Sequence, residues 1–253
     1  MDANGSSSRL CPRREVPMKT IGVLGGMSWE SSLEWYRLAN ERVRDALGGH
    51  HSARVILDSL DFAEIEQLQA RGDWSAAGSL LAERARGLER AGADLIVLCT
   101  NTMHLVADRI EDAIGIPFLH IADTTAAAVR QAGIRRVGLL GTAFTMEQPF
   151  YRERLETHAI EVLVPSSEQR ARVHAVIYDE LVHGVIRQES RAYYREVIDE
   201  LAARGAEGVI LGCTEIELLI SADDSPVPVF PTTALHVDAA LAAAGATPGP
   251  RSR

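Results

Sequence analysis

Short apolar runs rich in β-branched residues alternate along the chain with longer segments of 3.6-residue periodicity. The short runs predict strands over Thr20–Leu24, Ala53–Leu57, Asp94–Leu98, Phe118–Ile121, Arg136–Leu140, Ile160–Val164, Gly208–Leu211 and Val227–Phe230. The longer segments predict helices such as Trp29–Ala46, Trp74–Ala91, Tyr151–His158, Glu168–His183 and Arg191–Arg204. In Trp74–Ala91, Leu80, Leu81, Ala85 and Leu88 fall on one side of a helix. Strands and helices in alternation point to an α/β fold built of βα units around mainly parallel sheets.

The pattern also repeats. TIGVLGGMSWE resembles RVGLLGTAFTME, pairing Gly22 with Gly138 (138 − 22 = 116), and GADLIVLCTNT resembles GAEGVILGCTE, pairing Gly92 with Gly205 (205 − 92 = 113). IPF at Ile116 matches VPV at Val227 (227 − 116 = 111). Three matches in order, at nearly constant offset, read as two pseudo-symmetric α/β domains. The expected division is residues 18–115 plus 231–247 for the first domain and 116–230 for the second. Ligand sites of α/β sheets lie at strand carboxyl ends, so equivalent ends in facing domains would converge on one cleft between them.

Composition narrows the function. The chain has 253 residues, 46% hydrophobic and 24% charged, as in ordinary globular proteins. A net charge of −9 argues against a nucleic-acid or anionic-membrane surface, and no run approaches the ~18 apolar residues of a membrane span. The first 17 residues are polar, Ser-rich and basic, which favours a disordered tail over a secretory signal, with Met18 a plausible functional start. Residues 248–253 form a second expected tail. Three cysteines are too few and too ill-spaced for a disulfide framework or a zinc site; Cys11 lies in the tail, and two thiols at strand ends suit a reduced, cytoplasmic setting.

The repeat sets Cys213 opposite Thr100, and Cys99 opposite Gly212. Neighbouring residues of a strand face opposite ways, so Cys99 and Thr100 should not present together. Thr214-Glu215-Ile216-Glu217 has the form of a capping box with Thr214 as N-cap, which would place Cys213 before a helix N-terminus and favour its thiolate. The plainer alternative is a small buried cysteine chosen for packing. Gly25-Gly26-Met27-Ser28 and Gly141-Thr142, with Thr145 opening another capping pattern through Gln148, follow equivalent strands. With Asn101, Thr102 and Thr214 they could bind an amino-acid carboxylate without arginine, although each alone is an ordinary turn or cap. Met27 and Glu215 complete the candidate substrate-binding set. His104 reads as a helix residue or a supporting donor, and the histidines lack metal-ligand spacing. Lys19 is the only lysine and sits beside the tail, which argues against pyridoxal catalysis, since that chemistry needs a Schiff-base lysine. No cofactor and no metal are expected.

The segments KTIGVLGGMSWESSLEWYRL, LCTNTMHLVADRIE, IPFLHIADTTA, LLGTAFTMEQPFYRERL and LGCTEIELL resemble those of aspartate/glutamate racemases in the wider Asp/Glu/hydantoin racemase group. They cover everything from about Met18 to His236, and GCTE in place of GCTH is similar to the aspartate branch. The resemblance implies a homodimer of two-domain subunits, a last helix returning to the first domain, and a two-base reaction at Cα. One residue removes the proton from one face, and a second protonates the other. Most two-cysteine members read C-N-T where this chain has Thr100-Asn101-Thr102, so Cys213 carries over as a catalytic residue and Thr100 fills the second catalytic position. That departure resembles the Thr-for-Cys, broad or L-preferring amino-acid racemases and implies unequal handling of the two enantiomers. A lysine common on the helix matched by residues 177–183 is replaced by Val182 or His183, and an arginine near Ser59–Phe62 is missing. Both departures weaken the expectation of a side-chain carboxylate clamp; a neutral or polar side chain fits better. A single-cysteine isomerase or decarboxylase of the same group, or an amino-acid-binding protein impaired in catalysis, remains an alternative.

Overall fold

The computed structural model describes residues 18–246, so the two expected tails and Cys11 lie outside the described residues. The strands are β1 (Ile21–Gly25), β2 (Val55–Ser59), β3 (Leu95–Leu98), β4 (Phe118–Leu119), β5 (Arg136–Gly141), β6 (Glu161–Leu163), β7 (Gly208–Gly212) and β8 (Val229–Pro231). The helices are α1 (Trp29–Leu47), α2 (Phe62–Ala70), α3 (Trp74–Arg90), α4 (Ala107–Glu111), α5 (Ile121–Gln131) and α6 (Ala143–Glu147). They continue with α7 (Pro149–Thr157), α8 (Ser167–Asp179), α9 (Gln188–Ala203), α10 (Ile216–Leu219) and α11 (Thr232–Ala243).

Two four-stranded parallel sheets form, in the orders β2-β1-β3-β4 and β6-β5-β7-β8. The order is the same once the second set is renumbered, and so is the register. Gly22 pairs with Ile96, and its counterpart Gly138 pairs with Val209 (209 − 96 = 113). The same offset takes Cys99 to Gly212 and Thr100 to Cys213. Every residue of β1, β3 and β7 is buried, as expected of central parallel strands covered on both faces, which is why they read as continuous apolar runs.

Local chemistry sets the element ends. The fourth strand stops at Leu119 because His120 turns its Nδ1 to accept from the Ala122 N–H and so caps α5. A capping box between Ser166 and Gln169 opens α8, and the helical run expected to reach His183 breaks after Asp179 into a short 3-10 turn, Leu181–His183, closed by left-handed Gly184. Gly26 also has positive φ, and a Cβ there would lie 2.1 Å from the Leu60 carbonyl oxygen. Only glycine allows that close approach, which turns Met27 and Ser28 into the cleft.

Two expected caps form differently. The cap of α6 is Thr142, which accepts from the Thr145 N–H, so Thr145 lies inside the helix rather than before it. The segment after Cys213 yields only the four-residue α10, with no side-chain cap. Thr214 instead donates to Glu215, and Glu217 reaches away to accept from the Thr233 N–H at the start of α11, 2.7 Å distant. Helix α11 packs against α1 and α5. Its Val237, Ala240 and Leu241 share a core with Ile21, Trp35 and Leu95.

Candidate active site

The carboxyl ends of both sheets meet at one cavity. Met27 and Ser28 reach it from the end of β1, Thr100, Asn101 and Thr102 from β3, Thr142 from β5, and Cys213, Thr214 and Glu215 from β7. Thr145 stands behind this wall, with its hydroxyl 3.2 Å from that of Thr142. Gly212 at the end of β7, Phe62 and Gln69 of α2, Ile177 and Tyr178 of α8, and Val182 complete the lining. Sequence patterning missed the α2 contribution. Phe62, Ile65 and Gln69 do have helical spacing, but a buried Gln reads locally as a surface residue. Among the described residues, no Lys, Arg or His lines the cavity; Val182 does, whereas His183 is exposed.

Cys99 and Thr100 part as strand geometry requires. Cys99 is buried among Ile21, Trp35 and Val237, where desolvation pushes its thiol far up. Thr100 turns to the cavity. Its carbonyl accepts from His104 Nδ1 at 2.7 Å, and His104 Nε2 accepts from the Ile121 N–H at 3.2 Å. An Nε2 that accepts must be bare, so the proton is on Nδ1. Burial, with His120 and His236 nearby, holds the His104 ring pKa well below the ordinary imidazole value and keeps it neutral. His104 therefore supports the end of β3 through the backbone.

At the opposite end, the expectation of a thiolate-favouring helix terminus is reversed. Burial first, and then the Glu215 carboxylate, push the Cys213 thiol well above its ordinary pKa. Glu215 Oε1 accepts from Ser28 Oγ at 2.5 Å and Ser31 Oγ at 2.7 Å, while Oε2 accepts from Thr214 Oγ1 at 2.7 Å and Cys213 Sγ at 2.9 Å. The Ser31 and Thr214 hydroxyls also hydrogen-bond to each other, so only one of the two can give its single proton to Glu215 at a time. These contacts join α1 to the end of β7, residues more than 180 positions apart.

Other polar groups span the cleft. Thr102 Oγ1 lies 2.9 Å from Thr142 Oγ1, and Tyr178 donates a long 3.4 Å bond to Gln69 Oε1. Gln69 Nε2 in turn points at Met103 Sδ, 3.1 Å away. Asn101 Nδ2 donates to Thr232 Oγ1, whose own proton goes to the Leu211 carbonyl. That chain fixes the amide and leaves Asn101 Oδ1 a buried acceptor with no partner. Among the described residues no group of three or more His, Cys, Asp or Glu could hold a metal ion.

The family model described as Asp/Glu/hydantoin racemase matches residues 24–240. A crystal structure of a candidate Asp/Glu racemase from Yersinia pestis is 56% identical, covers 90% of this chain and 99% of its own, and superposes with a TM-score of 0.84. An aspartate racemase homologue from Pyrococcus horikoshii is 34% identical, covers 90% and 100% respectively, and has a TM-score of 0.80. The broad specificity amino-acid racemase RacX of Bacillus subtilis is 25% identical over 151 residues, which span 58% of this chain and 63% of that relative.

Proposed function

Because the chain belongs to the Asp/Glu/hydantoin racemase family, we propose that it is a cofactor-independent amino-acid racemase in which Cys213 and Thr100 serve opposite faces of the substrate Cα. The observation that carries this reading is the equivalent placement of the two residues. They stand at the same register position beyond two matching strands, and both line one cavity. Cys213 is the group able to take the Cα proton; Thr100 donates or relays one on the other side.

The remaining groups divide the substrate between them. Asn101 Oδ1, an acceptor without a partner, suits the α-ammonium, and the Thr102 and Thr142 hydroxyls suit the α-carboxylate. Phe62, Gln69, Tyr178 and Val182 face the side chain. A side-chain carboxylate would find no cation among the lining residues and would add charge near Glu215, so neutral side chains are favoured over aspartate or glutamate.

Deuterium uptake from solvent at Cα, followed over a panel of L- and D-amino acids, tests the proposal. Exchange accompanied by inversion is expected for neutral substrates, and none in Cys213→Ser. Binding without exchange would make the chain an amino-acid-binding protein instead, and loss of CO2 from an activated acid would make it a decarboxylase.

A further inference from the structure

Two contacts fix where the Thr142 hydroxyl points. The strand before it is held by the sheet ladder, since Gly141 of β5 pairs with Gly212 of β7. The peptide after it is held from behind the cavity wall. The Thr142 side chain accepts from the Thr145 N–H, which leaves the Ala143 N–H, also in the first turn of α6, without a partner from its own helix. His174 of α8 supplies one, its Nδ1 accepting from the Ala143 N–H at 3.2 Å. That N–H belongs to the peptide joining Thr142 to Ala143. The bond therefore fixes the backbone rotation that aims the Thr142 side chain at Thr102, with 2.9 Å between the hydroxyl oxygens. The imidazole is itself held: it lies against Tyr178, one turn along α8, with ring centroids 4.6 Å apart, and meets Phe144 edge-on at 6.2 Å. At the far end of α6 the same two helices are tied again, by Arg170 donating to Glu147 at 2.9 Å. An Nδ1 that accepts must be bare, so the proton sits on Nε2 and the ring is neutral. Burial sets that state. It holds the ring pKa below the ordinary imidazole value, against the pull of Asp179 on α8 and of Glu147 on α6.

We infer that His174 is a positioning residue for substrate binding: as a neutral acceptor it holds the Thr142–Ala143 peptide, and with it the Thr142 hydroxyl beside Thr102, in the orientation that receives the α-carboxylate. This rests on the racemase reading above. A protonated ring carries N–H groups on both nitrogens and cannot accept. It would set one N–H against another and free the Thr142 end of α6. Substrate binding thus weakens when His174 gains a proton, while Thr100 and Cys213, on β3 and β7, keep their places.

Two variants of the full chain separate the acceptor from the ring. His174→Asn keeps an acceptor at the place of Nδ1 and cannot titrate, whereas His174→Phe keeps a ring and loses the acceptor. KM and kcat of Cα deuterium exchange are read on the L-amino acid of the panel that exchanges fastest. At pH 7.5, KM should rise roughly 10-fold in His174→Phe with kcat within about threefold of wild type, and stay within about twofold in His174→Asn. Between pH 7.5 and 5 the ratio of wild-type KM to that of His174→Asn should grow by about threefold or more, because only the wild type loses its acceptor. Equal rises of KM in both variants, no rise in His174→Phe, or a ratio that stays constant across pH would overturn the positioning role. The ratio carries the test if the Phe variant does not fold. Nitrogen-15 shifts of the ring, assigned by their absence in His174→Asn, should show a bare Nδ1 and a protonated Nε2 at pH 7.5. A proton on Nδ1 would overturn the positioning role whatever reaction the cavity supports. Absence of exchange in the wild-type protein with every amino acid of the panel would overturn the racemase reading instead.

Discussion

At the scale of single residues, the asymmetry between Thr100 and Cys213 dominates. A threonine hydroxyl is a far weaker base than a thiol. For the proposed racemase, the two enantiomers of an amino acid have equal free energy, so kcat/KM must match in both directions. Asymmetry can therefore appear only as equal factors in kcat and KM, and in exchange that fails to invert. Thr100→Ala is expected to keep deuterium uptake from the enantiomer that Cys213 deprotonates, while inversion falls by roughly 100-fold. Thr100→Cys should raise the number of inversions per exchange. Both outcomes are read by chiral separation of the deuterated product, and equal loss of exchange and inversion in Thr100→Ala would count against the assignment. Cys99 offers no substitute, since its thiol is enclosed in the core one residue away.

At the scale of elements, the eight strands sat close to where the apolar runs predicted, and the caps were less legible. Of the Ser/Thr-x-x-Glu/Gln patterns at Thr145, Ser166 and Thr214, that at Ser166 alone forms the reciprocal box. Thr142, three residues earlier, already satisfies the Thr145 N–H, and α11 recruits Glu217 for its own start. A capping motif offers hydrogen bonds; competing donors nearby decide whether it makes them. Removing the realised cap with Ser166→Ala should cost about 1 kcal/mol of stability. The measurement is a lower urea midpoint with an unchanged m-value, and because α8 carries Ile177 and Tyr178 to the cavity, exchange by the folded variant should stay near wild type.

At the scale of the whole molecule, three distant segments bring His104, His120 and His236 together. The ring centroids of His104 and His120 are 4.5 Å apart, and those of His104 and His236 are 6.3 Å apart. Desolvation lowers His120 and His236 to about 4. Their unfolded counterparts take up protons below about 6.5. The unfolded chain thus binds more protons between pH 6.5 and 4, and stability is lost as pH falls through that window. Glu217 acts in the opposite sense, because burial raises it to about 7 and the folded state then takes up a proton first. With the histidines in the majority, stability should fall on the order of 2 kcal/mol between pH 7.5 and 5. Urea unfolding at the two pH values checks this. Glu217→Gln should steepen the loss, and His236→Gln should flatten it.

Much of this protein could be read from the chain because the relevant information is local or repeated. Apolar runs mark parallel strands wherever they fall, and two copies of one pattern align their strand ends, which identified Thr100 and Cys213 as counterparts and set Cys99 aside. The protonation of Cys213 could not be read that way. It depends on burial and on a carboxylate whose other donors, Ser28 and Ser31, lie at the far end of the sequence. The Gln69 and Tyr178 wall is equally a product of packing between segments more than 100 residues apart. Desolvation and through-space charge depend on what surrounds a group in three dimensions, and no local pattern carries that information.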